Sequence, residues 1–279
     1  MMKDIKEYSV NEKPQWCPGC GNFGLLTAVK SAFAELDLEP HNTVVVSGIG
    51  CGSKIPHYLR TYGYEGIHGR IIPLAEGIKI GNPSLTVVGI GGDGDGLSEG
   101  GNHFLHGGRK NTDITYIVQD NQIYGLTTGQ ASPTTHLGMK TKTTPNGVFI
   151  PPVKPIPTAL ISGATFVASA FAGDINHLKE VIKRAIQHRG FSFIDVYQPC
   201  VSWNKINTYM WWKERVYKLD KSLSFEEALK KAMEPYLTNW EKVPIGVFYE
   251  SNERKPLNEI INYGNELLTN IEEDLREFE

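Results

Sequence analysis

The chain has 279 residues, 40% of them hydrophobic and 21% charged, with a formal net charge of −3. That composition is ordinary for a globular protein with ample core, and the weak acidity without a long basic run argues against a nucleic-acid partner. No apolar run approaches the ~20 residues that span a bilayer, and the polar opening Met1–Glu7 is unlike a signal peptide, so a cytoplasmic chain with no membrane partner is expected.

The cysteines are Cys17, Cys20, Cys51 and Cys200. A reducing compartment argues against disulfides and leaves metal binding or plain burial. Taken singly, each reads as an ordinary core residue. After a polar lead-in over residues 1–15, however, Trp16-Cys-Pro-Gly-Cys20-Gly21 is a tight turn that presents two thiols together. Leu25, Leu26, Val29, Phe33 and Leu36 then recur at helical spacing. The turn therefore stands at a helix start, whose dipole favours thiolate over thiol.

Thr43–Ser47 reads as a short apolar strand that empties into Gly48-Ile-Gly-Cys-Gly52, a turn suited to a phosphate or cofactor. Cys51 thus lies at a strand's carboxyl end. A short helix is expected over Pro56–Tyr62. Ile67-His-Gly-Arg70 leads into another that runs through about Ile80. A lone His68 at such a place usually bonds backbone.

The central unit is the most informative. Leu85–Gly89 is a β-branched run leading into Gly91-Gly-Asp-Gly-Asp-Gly96, and Ile114–Val118 leads into Asp120-Asn121. A helix-length segment separates them, so the unit reads strand, glycine turn, helix, strand. In open parallel sheets ligands bind beyond the carboxyl ends of the strands. Asp93 and Asn121 sit at two such ends, and a carboxylate beside an amide oxygen suits a hard cation such as Mg²⁺. The glycines let backbone N–H groups approach a diphosphate.

Ser132–Pro157 is rich in Pro, Thr and Lys without clear period, and reads as a lid or partner-contact loop. A helix end near Thr158–Gly163, a strand over Ala164–Ala168 and a helix capped by Asp174 follow. Phe191–Val196 is a strand that delivers Cys200. Four strands therefore end near Cys51, Asp93, Asn121 and Cys200, on one edge of one sheet. Beyond them, Trp203, Tyr209, Trp211 and Trp212 read as an aromatic cluster, Phe225–Tyr236 as an amphipathic helix, and Ile271–Glu279 as an acidic, solvated helical face. The expected organisation is an α/β domain over residues 1–205, with a mostly parallel sheet flanked by helices, and a mainly helical extension over 206–279 that covers a partner or a cluster.

Gly92-Asp-Gly94 followed one crossover later by Asn121 resembles the Mg²⁺–thiamine diphosphate motif. Gly101-Asn-His-Phe104 and Tyr124-Gly-Leu-Thr-Thr-Gly-Gln130 narrow the resemblance to the β subunit of 2-oxoacid:ferredoxin oxidoreductases, from about Trp16 to about Cys200. The resemblance implies a diphosphate-binding half of a thiamine enzyme, oxidising a 2-oxoacid with coenzyme A and passing electrons to ferredoxin. Asp93, Asn121 and the carbonyl of Ile123 would bind Mg²⁺. Ile49, Gly50, Cys51, Gly52, His68, Gly94, Asp95, Gly125 and Leu126 would contact thiamine diphosphate, with His68 and Arg70 also meeting substrate. The glutamate for the aminopyrimidine ring would come from a partner α subunit.

Thiolates alone do not choose between zinc and iron–sulfur. The resemblance implies one [4Fe–4S] cluster on Cys17, Cys20, Cys51 and Cys200. Some relatives carry Lys where this chain has Thr128, a departure that lowers the expected preference for dicarboxylic 2-oxoacids. The rival readings are a non-redox thiamine-dependent decarboxylase or synthase subunit with a structural metal site, and a zinc-stapled binding module.

Overall fold

The computed structural model describes residues 3–261. The acidic stretch Ile271–Glu279, and with it the end of the expected extension, lies outside the described residues. Among them no helix is long and apolar enough to cross a membrane.

Eight strands form one sheet: β1 (Thr43–Ser47), β2 (Tyr62–Glu65), β3 (Thr86–Gly92), β4 (Ile114–Asp120), β7 (Phe166–Phe171), β8 (Phe191–Tyr197), β9 (Val216–Lys218) and β10 (Val243–Glu250). Their order is β2-β1-β3-β4-β8-β7-β10-β9. The six from β2 to β7 run parallel, whereas β10 lies antiparallel on β7 and carries β9 parallel to itself. A second, small ladder pairs β5 (Ile123–Tyr124) with β6 (Gln130–Ala131).

Parallel strands are covered on both faces, which is why β4, β7 and β8 are buried along their whole length. On one face α1 (Gly21–Glu35) and α5 (Ile175–Gln187) set Leu25, Val29, Phe33, Leu178 and Ile182 against Val45, Ile90, Ile117 and Ile194. On the other, α2 (Ile71–Gly81), α3 (Gly101–Lys110), α4 (Pro155–Ser162) and α7 (Phe225–Ala232) set Ile72, Phe104, Ile156 and Ala228 against Val44, Val46, Val118 and Phe193. Val44, Val45 and Val46 point alternately to the two faces, as the period of a strand requires.

Helix α1 approaches the end of β7 closely. A methyl group at Gly24 would stand 2.3 Å from the carbonyl oxygen of Ala172, so only glycine allows the contact. That contact seats the N-terminus of α1, and Cys20 before it, against the sheet's carboxyl edge. Asp174 caps α5 as expected, accepting from the His177 N–H at 3.1 Å.

Three stretches differ from the expected elements. The segment after Cys51 forms a 3₁₀ turn over Gly52–Tyr58 and then the exposed edge strand β2, in place of a helix over Pro56–Tyr62. The expected helix Phe225–Tyr236 is broken at Met233 into α7 and α8 (Glu234–Leu237), because Pro235 cannot continue it. The chain after residue 205 carries helices, including α6 (Tyr209–Lys213) and α9 (Leu257–Ile260), and in addition supplies β9 and β10 to the main sheet. Its Ala228, Ala232 and Phe248 sit in the same apolar layer as the expected first domain, so one core runs through both.

Candidate active site

The sheet reverses its winding at β1, with β2 added on one side and β3 on the other. Beyond the carboxyl ends at such a point a crevice opens between the two departing loops. Here the loops are Gly48–Gly52 and Gly92–Gly96, and with Asn121–Thr127 from beyond β4 they line one narrow cleft together with His68. Gly50 has a φ of 124°, which an L side chain rarely adopts, and a Cβ at Gly50 or Gly92 would meet nothing within 4 Å. Both therefore leave main chain exposed to the cleft, a surface shaped for an oxygen-rich ligand.

Asp95 organises this cleft. Its Oδ1 accepts from Ile49 N–H at 3.1 Å and Gly69 N–H at 2.8 Å, joining the turn after β1 to the one before α2. Nδ1 of His68 lies 2.8 Å from the same oxygen, off the hydrogen-bond axis. Glu99 adds a second carboxylate 3.4 Å from that nitrogen and accepts from the Tyr124 hydroxyl at 3.2 Å. Arg70, by contrast, braces main chain through the carbonyls of His68, Gly69 and Glu99.

Asp93 is buried, and burial raises its carboxyl to about 6 although hydroxyls from Ser132 and Thr134 pull the other way. Those hydroxyls donate to Oδ2 at 2.5 and 2.6 Å, and the Thr134 oxygen also lies 2.7 Å from Oδ1 of Asp120, whose carboxyl burial holds well above the usual carboxylate range. Asn121 stands beside it at the next strand end, its Oδ1 accepting from Ile123 N–H at 3.0 Å and its carbonyl from Asn204 Nδ2 at 3.0 Å. Ser132, Thr134 and Asn204 are not among the residues that the sequence alone singles out. The cluster Ser132-Pro-Thr-Thr135 directly after the Tyr124–Gln130 word is the available signal for the first two. They come from the 132–154 loop, which folds inward here.

All four cysteines line a second pocket of ≈ 330 Å³. Cys51, Asn121, Gly125 and Leu126 belong to both pocket and cleft, so the two are contiguous. The Trp16 indole N–H donates to the Cys51 carbonyl at 2.7 Å and Gly21 N–H to the Pro199 carbonyl at 3.3 Å, drawing the three cysteine-bearing segments together. A Cβ on Gly125 would lie 3.5 Å from Cys200 Sγ and 3.8 Å from Cys51 Sγ. Cys20 does not follow the helix-dipole expectation. Burial pushes Cys20 up to about 11 and raises Cys51, with the neighbouring thiols adding to it, while the N–H of Asn22 at the helix start opposes without winning. Among the described residues no three His, Cys, Asp or Glu side chains gather as for a single metal ion.

Trp211 and Trp212 join Tyr197, Trp240 and His136, with His136 stacked 4.4 Å from Trp240. Trp203 stands apart, against Gly129 on the wall of the thiol pocket. Thr128 lines that pocket too. A larger cavity of ≈ 550 Å³ lies at the sheet's opposite end. Two of its cations are paired, Arg184 with Glu250 and Arg189 with Glu259, Arg254 braces main-chain carbonyls, and the cavity is remote from the chemistry-bearing turns.

Residues 41–196 match the family model described as thiamine pyrophosphate enzyme, C-terminal TPP binding domain, and residues 200–266 match the C-terminal region of the pyruvate ferredoxin oxidoreductase beta subunit. The 2-oxoacid:ferredoxin oxidoreductase subunit beta of Saccharolobus solfataricus is 44% identical, over 94% of this chain and 95% of the relative. The 2-oxoglutarate synthase subunit KorB of Methanocaldococcus jannaschii is 43% identical over 66% and 68%. A solved structure, 2-oxoglutarate:ferredoxin oxidoreductase from Magnetococcus marinus with 2-oxoglutarate, coenzyme A and succinyl-CoA bound, superposes with a TM-score of 0.88 at 38% identity, covering 99% of this chain and 91% of that one. The glycine cleft, the thiol pocket beside it and these likenesses converge on one family, and the chain belongs to the β subunits of the 2-oxoacid:ferredoxin oxidoreductases.

Proposed function

We propose that this β subunit holds the diphosphate end of thiamine diphosphate through Mg²⁺ in the glycine cleft, and a [4Fe–4S] cluster on Cys17, Cys20, Cys51 and Cys200. With an α-subunit partner it converts a 2-oxoacid and coenzyme A to acyl-CoA and CO₂, giving two electrons, one at a time, to ferredoxin. The observation that carries the reading is the contiguity of cleft and pocket through Cys51, Asn121, Gly125 and Leu126. When bound, the thiamine group supplies the carbanion chemistry of decarboxylation, and the cluster beside it accepts single electrons.

The chain's own residues fit these groups. Asp93 is the anionic ligand for Mg²⁺, Asn121 Oδ1 and the Ile123 carbonyl the neutral ones, and Ser132 with Thr134 fixes the carboxylate's orientation. Main chain at Ile49–Gly52, Gly94, Gly125 and Leu126 faces the cofactor. Asp95 holds the main chain of Ile49 and Gly69 in one frame, which sets His68 beside the Gly48–Gly52 turn at the cleft, where it would face cofactor and substrate. Clustered thiols that repel one another as anions suit a cationic centre. Further support comes from the relatives' names, which are those of ferredoxin-linked enzymes.

The aminopyrimidine-side glutamate is assigned to the partner, since the glycine cleft among the described residues is built by the turns after β1 and β3 and offers only one such cofactor-facing half. The test is reconstitution. Purified anaerobically, the chain alone should be brown, with matching iron and sulfide content, yet show almost no 2-oxoacid oxidation until the partner is added. Robust turnover by the chain alone, or a colourless chain that is fully active in the complex, would sink the reading.

A further inference from the structure

The wall of the thiol pocket carries no carboxylate and one lysine, Lys54. Thiolates gathered there repel one another, and the neighbouring thiols already help to raise Cys20 and Cys51. Their charge has to be met by donors on the wall. For Cys20 the donor is the Asn22 N–H. For Cys17 it is a side chain, the Ser202 hydroxyl, which donates to Sγ at 2.9 Å. Among the described residues this is the one side-chain hydrogen bond to a cysteine sulfur, and Cys17 is the one exposed cysteine of the four.

The main chain that carries Ser202 is pinned from both sides. Asn204 N–H donates to the Cys200 carbonyl at 3.0 Å and closes Cys200–Asn204 into a turn. The buried Asn204 side chain then anchors that turn. Its Nδ2 donates to the Asn121 carbonyl at 3.0 Å and to Asn207 Oδ1 at 2.9 Å, and its Oδ1 accepts from Ile206 and Asn207 N–H at 3.1 and 3.0 Å. On the other side Val201 stands over the Cys17–Cys20 turn, where a Cβ on Gly19 would lie 3.8 Å from Val201 Cγ1. The two cysteine-bearing turns are thus seated on each other, with Ser202 held against Cys17.

Resting on the reading of this pocket as the seat of a [4Fe–4S] cluster, we propose that Ser202 is a positioning residue that raises the cluster's reduction potential through Cys17. A hydrogen bond to a ligating sulfur draws electron density from it and stabilises the more negative, reduced state. No proton moves and no bond is made or broken, because the hydroxyl only answers the extra charge present after one-electron reduction. Uptake of each electron becomes easier and its delivery to ferredoxin harder, so Ser202 sets the balance between the two.

An anaerobic redox titration of the assembled enzyme, followed by the EPR signal of the reduced cluster, tests this. In Ser202→Ala and Ser202→Val the ratio of reduced to oxidised cluster at a fixed poise should fall roughly three- to tenfold, which for a one-electron couple is ~30–60 mV. Valine puts a methyl group in the hydroxyl's place and keeps a water from replacing it. Ser202→Thr, which retains the hydroxyl, should titrate like the wild type, and all three should keep full iron and sulfide. An unmoved midpoint in Ser202→Val overturns the assignment, as does a lowered one in Ser202→Thr. Loss of iron from Ser202→Ala and Ser202→Val would make the hydroxyl a structural tie and overturn it too. If the wild-type complex carries no iron or sulfide, the reading of the pocket falls. If it carries the cluster and only the potential fails to respond, Ser202 alone falls.

Discussion

The hydroxyl of Ser132 donates to Oδ2 of Asp93 at 2.5 Å, tying a long loop to the carboxylate on which the proposed Mg²⁺ site depends. Asp93→Asn preserves shape and removes the anionic ligand. The assembled enzyme should then bind Mg²⁺ and thiamine diphosphate roughly tenfold or more weakly in calorimetry, and Ser132→Ala, which keeps the charge, should lose less. Wild-type affinity in Asp93→Asn removes it from the ligand set.

Replacing any one of Cys17, Cys20, Cys51 or Cys200 with Ser should lower iron and sulfide content, since the chain has no spare cysteine. Elemental analysis alongside the visible spectrum is the measurement. Full iron, full sulfide and normal electron transfer in Cys200→Ser would contradict a four-thiolate centre.

His136 gives a pH dependence of known sign. Burial between the Trp211 and Trp240 rings lowers its pKa from 6.5 to about 4. The unfolded chain takes the proton first, so this group's contribution is complete above pH ~6.5 and is lost as pH falls toward 4. Between pH 7 and 5 the loss should be ~2 kcal/mol. His136→Phe, which needs no proton and leaves no partner stranded, should shrink that difference in urea midpoints. An unchanged difference would assign the acid sensitivity elsewhere.

Gly24→Ala should destabilise the fold by ~1–3 kcal/mol, because its methyl meets the main-chain oxygen of Ala172 rather than a movable side chain. The urea midpoint should drop with an unchanged m-value. A neutral result would mean that α1 can shift without cost.

Much of this architecture was legible in the sequence, for definite reasons. Strands buried on both faces, such as Ile114–Asp120 and Phe191–Tyr197, read as short runs rich in β-branched and aromatic residues, and glycines mark the turns that follow β1 and β3. Hence the meeting of Cys51, Asp93, Asn121 and Cys200 on one edge followed from the pattern. Tyr62–Glu65 escaped because it is exposed along its length. Val243–Glu250 escaped because Pro244 and Gly246 lie inside it, as strand interiors rarely allow. The hydroxyls of Ser132 and Thr134 were hidden for another reason. Their loop has no period, and their partners are chosen by long-range folding rather than by spacing.

Strand β10 has a consequence for how this chain can be cut. It pairs with β7, every residue of which is buried, and its backbone covers β7's last open side. A fragment ending just past Cys200 would keep every ligand proposed here and yet present Phe166–Phe171 as a bare, apolar edge. Such an edge recruits strands from other molecules. The fragment should therefore collect as insoluble aggregate or inclusion bodies, and minimal versions of this enzyme need the antiparallel closing strand as much as the cysteines.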